Sequence, residues 1–187
     1  GCRVDVNLMQ ASLDLQAESI TCFLNGGKSP TEVPPKYVAG WYYAAPYGVY
    51  PTKDGHLAIS LADHKVLAQA FGEPRIAAIP AKDAFGPRRQ ELADLVAACT
   101  PHKTSAEWVA IMEPLKIWHA PVRGYDEVAT DPQVQHNKAL VTVKSATGSP
   151  VTFVNHPIQY DGQAGEVGQP PQPLGAQTAD VLTELGY

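Results

Sequence analysis

The sequence predicts an α/β protein: a small α+β domain, with linkers and end segments too short to bury a core of their own. Three observations predict it. Apolar stripes at helical spacing alternate with short strand-like runs. Two proline-rich stretches interrupt them, one set with aromatic rings. Finally, 44% hydrophobic and 18% charged residues in 187 positions allow a sizeable core and exclude wholesale disorder. That length suits one large domain or two small ones.

The elements follow in order. Cys2 to Val6 alternate apolar and polar residues as a strand does. Asn7 caps a helix expected from Leu8 to Leu24, with Leu8, Ser12, Leu15, Ser19 and Phe23 along one line. Asn25-Gly26-Gly27 stops it. Lys28 to Ala45 carries Pro30, Pro34 and Pro35, then Tyr37, Trp41, Tyr42 and Tyr43. Proline bars helix and inner strand there, and the rings predict a linker docked on another surface. Tyr47–Tyr50 and His56–Leu61 read as strands joined through a turn at Asp54-Gly55. Asp63 caps a helix ending at Phe71-Gly72. Pro87 suits a helix first turn, and Leu92, Leu95, Val96 and Cys99 share a face. Thr104-Ser105-Ala106-Glu107 is a capping box, opening a helix that buries Trp108, Ile111, Met112 and Leu115. His119 to Asn137 reads as irregular, with helical turns starting near Asp126 and Asp131. Ala139–Lys144 and Val151–His156 form a hairpin about Thr147-Gly148-Ser149. Gln169–Pro173 is extended, and Thr178–Leu185 is a last helix ending at Gly186. The first and last pieces are expected to pack on a layer outside this sequence.

The chemistry of the residues excludes several classes. With 14 basic and 19 acidic residues the net charge is −5, and no basic block offers a grip on nucleic acid or on an anionic membrane. No apolar run approaches the roughly 20 residues that span a bilayer. Three cysteines (Cys2, Cys22 and Cys99) form no C-x-x-C pair and read as reduced, mostly buried thiols of a cytosolic protein. A secretory signal is not expected, and the opening inside a structured element implies polypeptide upstream. None of the six histidines sits at metal-ligand spacing. Nucleophile elbow, phosphate loop and dinucleotide fingerprint are all absent. Arg88-Arg89 reads as a solvated pair on a helix start. Asp63-His64, after a strand and entering a helix, is a candidate position, although capping accounts for Asp63.

Several segments taken in order resemble one family. They are Gly1-Cys2-Arg3-Val4-Asp5-Val6 before a Leu-rich helix, then Phe23-Leu24-Asn25-Gly26-Gly27. Ala45-Pro46-Tyr47-Gly48-Val49-Tyr50-Pro51 follows, with Thr52-Lys53-Asp54-Gly55-His56-Leu57-Ala58-Ile59. After these come Thr104 to Trp108, Ala120-Pro121-Val122, Asp126 to Val134, Leu174-Gly175 and Thr178 to Tyr187. Together they resemble the second half of a class III coenzyme A transferase. That family holds the carnitine, formyl and bile-acid CoA-transferases and the α-methylacyl-CoA racemases.

The resemblance implies a Rossmann-like large domain, a small α/β domain and an interlocked homodimer. On that map residues 1–24 end the first large-domain segment, and 25–45 form a linker. Residues 46–118 are the small domain and 119–138 a second linker. Residues 139–187 return to the large domain. It further implies CoA transfer between an acyl-CoA and a carboxylic acid through an aspartyl-CoA thioester, with the aspartate upstream of Gly1. No catalytic residue is then expected in this chain, and neither Asp5 nor Asp63 replaces it. The substrate-side loop maps to Ala45, Pro46, Tyr47 and Gly48, with His64 as a further contact. A single glycine there argues against formyl or oxalyl specificity. The acyl-CoA is a substrate; no permanently bound cofactor or metal is implied. No nucleic-acid or membrane partner is expected, the location is expected to be cytoplasmic, and the chain alone is expected to be inactive. The alternatives are a racemase-type fragment, disfavoured because no glutamate follows Leu57–Leu61, and an inactive fragment or partner subunit.

Overall fold

The computed structural model describes residues 3, 5–27, 36–165, 167 and 172–187. The chain divides into two compact units, Gly1–Val122 and Arg123–Tyr187. The first holds the core.

The first unit opens with two helices, Leu8–Asp14 (α1) and Ala17–Leu24 (α2), where the sequence predicts one. The reason lies at Gln16. Its backbone N–H bonds the carbonyl of Leu13, and its side-chain amide takes the carbonyl of Ser12 instead. The i→i−4 ladder is therefore broken without proline or glycine. Asn7 caps α1 as expected, accepting from Gln10 N–H. The predicted strand at Cys2–Val6 does not form at Arg3, Asp5 or Val6, and its other residues lie outside the described set. Neither α1 nor α2 buries a residue, and Leu8, Met9, Leu15 and Leu24 are exposed.

Residues 36–47 dock on the core, as the aromatic content predicts; the linker's prolines at 30, 34 and 35 lie outside the described residues. Tyr37 stacks on Tyr50 with ring centroids 5.6 Å apart. Arg89 donates to the carbonyls of Trp41 at 2.7 Å and Tyr43 at 3.1 Å. Arg88 holds Glu91 through two N–H groups at 2.7 Å. The two arginines are thus structural clamps rather than a solvated pair.

Gly48–Pro51 (β1), His56–Ile59 (β2) and His119–Pro121 (β3) form an antiparallel sheet in that order. β3 lies in the segment that the sequence reads as irregular. Three residues are too few to show a period, and pairing with β2 decides the matter. Between β2 and β3 run His64–Phe71 (α3), Pro74–Ala77 (α4), a 3₁₀ turn at Ala81–Ala84, Arg89–Cys99 (α5), a 3₁₀ turn at Thr100–His102 and Ser105–Met112 (α6). Pro87 stands in the turn just ahead of α5. Asp63 caps α3, accepting from Lys65 N–H at 2.8 Å, and Gly72 ends it in the left-handed region at φ +66. The capping box at Thr104 and Glu107 forms as predicted.

Period-2 alternation turns Tyr50, Leu57 and Ile59 inward, where they meet Leu67, Ile76, Leu92, Val96, Trp108 and Met112. Trp108 is 2% exposed and donates its indole N–H to the Thr100 carbonyl at 2.8 Å. Ile111 and Leu115 are only partly buried, at the margin of that core.

The second unit holds Tyr125–Thr130 (α7), Pro132–His136 (α8), Leu140–Lys144 (β4) and Pro150–Val154 (β5). Gln159–Tyr160 (β6), Gln163–Ala164 (β7) and Thr178–Glu184 (α9) complete it. Asp131 caps α8 and pairs with Arg123 at 2.8 Å. β4 and β5 form the predicted hairpin, with Thr142 and Thr152 hydroxyls 2.7 Å apart across it. The short β6–β7 hairpin has no sequence expectation behind it, and most of the extended stretch at Gln169–Pro173 lies outside the described residues. Among the described residues of this unit none is fully buried.

Candidate functional site

The predicted loop is held, not loose. Ala45 N–H donates to the Ala84 carbonyl at 3.0 Å, Ala39 N–H to Tyr47 at 2.9 Å, and Val49 N–H to Tyr37 at 3.0 Å. The Ala45-Pro46 peptide is cis. Ala45 is 1% exposed and Pro46 is fully buried, so both face the core. Gly48 is required by a close approach: a Cβ there would stand 1.8 Å from the Tyr37 carbonyl oxygen. Tyr47 is half-buried and packs on Tyr43 at 4.5 Å between centroids. The Tyr43 hydroxyl in turn donates to Glu18 of α2, and that acceptor raises the Tyr43 phenol above its ordinary range.

Tyr47 and Gly48 line a groove of about 410 Å³, and Ala45, Pro46 and His64 do not. The groove runs over the outer face of the sheet. Val49, Ala58 and Ala120 form one cross-strand row along it. Ile59, Ser60, Ala39, Trp118 and His119 complete the lining. Trp118 is 76% exposed, while its neighbour Ile117 is 2% exposed and anchors the chain in the core. Ser60 N–H donates to the Trp118 carbonyl at 2.9 Å, which fixes the main chain under the ring. The His119 Nδ1 lies 2.7 Å from the Ile117 carbonyl. A carbonyl only accepts, so Nδ1 carries the proton and Nε2 is the ring's remaining polar atom.

His64 stands at the first position of α3 and is not part of the lining that holds Tyr47 and Gly48. Its Nδ1 donates to the Ile79 carbonyl at 2.6 Å, by the same reasoning. Asp63 beside it spends Oδ1 on the α3 cap. It also lines a second groove of about 380 Å³, with Ser60, Val66, Lys116 and Trp118. Asp54, in the β1–β2 turn, receives the Ser105 backbone N–H at 2.8 Å, which holds its carboxyl below the ordinary range. That contact ties the turn to α6 and serves the fold.

The sequence reading missed Trp118, Ser60 and His119 as lining residues. The one available signal was a tryptophan and a histidine preceding Ala120-Pro121-Val122. Among the described residues, no group of three or more His, Cys, Asp or Glu is placed to hold a metal ion. No helix among them is long and apolar enough to cross a membrane.

The fold is that of a known group. A CAIB/BAIF family protein from Brucella suis superimposes with a TM-score of 0.65 at 19% identity, covering 95% of this chain and 45% of that one. Residues 1–178 match CoA-transferase family III, and the chain belongs to that family. It is 21% identical over 191 residues to mouse (Mus musculus) succinyl-CoA:glutarate CoA-transferase, covering 99% of this chain and 43% of the relative. An acyl-CoA transferase of Fusarium pseudograminearum is 24% identical over 198 residues, covering 100% and 42%. The chain therefore spans less than half the length of these relatives.

Proposed function

We propose that this chain is the C-terminal part of an acyl-CoA:carboxylate CoA-transferase. The observation that carries the reading is the family match over residues 1–178 by a chain spanning 42–43% of its curated relatives. In this reading an aspartate outside the chain attacks the acyl-CoA thioester carbonyl. The C–S bond breaks, CoA leaves as thiolate and a mixed anhydride remains. The thiolate then attacks the aspartyl carbonyl, giving an aspartyl-CoA thioester and the free acid. An acceptor carboxylate reverses both steps, returning CoA on a new acyl group and regenerating the aspartate. A carboxylate nucleophile thereby divides one hard transfer into easier ones.

This chain's part is to shape the substrate side. The clamped Tyr47-Gly48 entry to β1 presents the groove without needing to move. Ala45 and Pro46 act beneath it, as core residues that set its backbone, and His64 orders the start of α3. In the same reading 1–24 ends a large-domain segment, 25–45 and 119–138 are linkers, 46–118 is the small domain and 139–187 returns to the large domain. The bare apolar faces of α1, α2 and α9, and a second unit in which no described residue is fully buried, support partner polypeptide over them. The whole enzyme is then an interlocked cytoplasmic homodimer, and the 187-residue chain alone does not turn over.

The test is CoA transfer by the intact protein, with an acyl-CoA and an acceptor acid, in deuterated water. The reading predicts CoA exchange between acids and no α-deuterium incorporation in the acceptor's absence. α-Exchange without an acceptor would replace it with the racemase reading.

A further inference from the structure

We propose that the groove over the sheet's outer face takes the uncharged hydrocarbon tail of a monocarboxylic acid or its CoA thioester. Trp118 is its specificity-determining residue. The inference rests on the CoA-transferase reading and adds the class of acid.

The lining decides the class. A solvated sheet face ordinarily alternates polar side chains outward. Here the outward row is Val49, Ala58 and Ala120, paired across three strands, and Val49 is 44% exposed. Small side chains leave a trough, and Trp118 walls one side of it with its ring 76% exposed. The main chain beneath that ring is pinned by buried Ile117 and by the bond from Ser60, so the wall costs little ordering when a ligand arrives. A volume of about 410 Å³ suits a small-molecule site.

Charge excludes the competing class. No lysine, arginine or carboxylate is in the lining; Ser60, Tyr47 and His119 are its polar members. The distal carboxylate of a dicarboxylic acid would exchange water there for two hydroxyls and the His119 imidazole, with no lysine or arginine to pair it, which is costly. A one- or two-carbon acid would leave Trp118 and Val49 wet. A branched or aromatic tail covers both, and Tyr47 and Gly48, the substrate-side residues of the proposed reading, stand in the same lining.

The experiment compares kcat/KM for CoA transfer to phenylacetate and to glutarate, using the intact protein. The wild type is expected to prefer phenylacetate. Trp118→Ala should lower the phenylacetate-to-glutarate ratio about tenfold or more, the scale of a lost apolar contact in a specificity pocket. Trp118→Phe should restore most of it, and Val49→Asp, at an exposed position, should shift it in the same direction as the alanine. A wild-type preference for glutarate, or a ratio that Trp118→Ala and Val49→Asp both leave in place, overturns the inference. If no acid is turned over, the transferase reading fails, and fluorescence decides the groove separately. A saturable emission change on adding phenylacetate, absent in Trp118→Phe, supports it. No such change, or a Trp118 shielded from acrylamide quenching in the unliganded protein, shows the groove empty of ligand or covered by polypeptide, and overturns it.

Discussion

Gly48 shows how a single position fixes the candidate site. Its Cα passes under the Tyr37 carbonyl so closely that any side chain meets fixed backbone at 1.8 Å. Gly48→Ala should therefore lower stability by about 1–3 kcal/mol, the usual cost of overpacking a rigid site. Urea denaturation of the variant checks this, and an unchanged midpoint would contradict the geometry. Tyr47 and Gly48 were readable from the sequence because they stand in a recognisable Pro-Tyr-Gly run ahead of a strand. Burial of Ala45 and Pro46 was not readable, since it depends on the carbonyl of Ala84, some forty positions on. The same holds for Trp118. Whether a tryptophan is core or wall depends on what packs against it, and Trp108 inside α6 and Trp118 just ahead of β3 took opposite answers at 2% and 76% exposure.

At the level of elements, local rules governed what the sequence revealed. Caps acting within three residues formed as expected at Asn7, Asp63 and Thr104, and the helical turn expected near Asp131 starts there with Asp131 as its cap. Elements defined by a distant partner did not announce themselves: β3 exists because β2 offers it a free edge. The break between α1 and α2 likewise depends on one glutamine side chain displacing its own backbone donor. Removing the α3 cap by Asp63→Ala should cost about 1 kcal/mol and fray the first turn, read as faster amide exchange at Lys65 and Val66. The caps also set the acid response. Arg75, through its side chain, holds the Glu73 carboxyl at about 2. Backbone N–H groups of Thr104 and Val134 lower Glu107 and Asp131, as that of Ser105 lowers Asp54. Each is depressed relative to the unfolded chain, so its contribution is complete above the ordinary carboxylate range, about 4, and is lost as pH falls through the folded value. Melting temperature should accordingly hold from pH 7 to about 5 and fall toward pH 2, modestly because solvent screens these carboxylates, with Glu73→Gln and Glu107→Gln together flattening that fall.

For the whole molecule, burial separates what stands alone from what does not. Sheet and helices from β1 to β3 enclose a core around Trp108, Leu57 and Leu92. Among the described residues, α1, α2 and the unit beyond Val122 enclose nothing comparable, while Leu8, Leu24, Val181 and Leu185 are exposed. Apolar stripes of this kind need a covering surface, and the proposed reading assigns it to polypeptide of the kind that makes these relatives longer than this chain. That imbalance was visible in the sequence as helices too few and too short for their own core, although their partner was not. The proposed transferase has its nucleophile outside this chain, acting on acids that lie in the groove lined by Tyr47. Incubating the intact protein with an acyl-CoA, quenching in acid and locating the covalent CoA adduct by peptide mass spectrometry tests this directly. The expected result is a thioester on an aspartate outside the 187 residues. An adduct on a carboxylate within them, at Asp5 or Asp63 for example, or no adduct during demonstrable transfer, would contradict it.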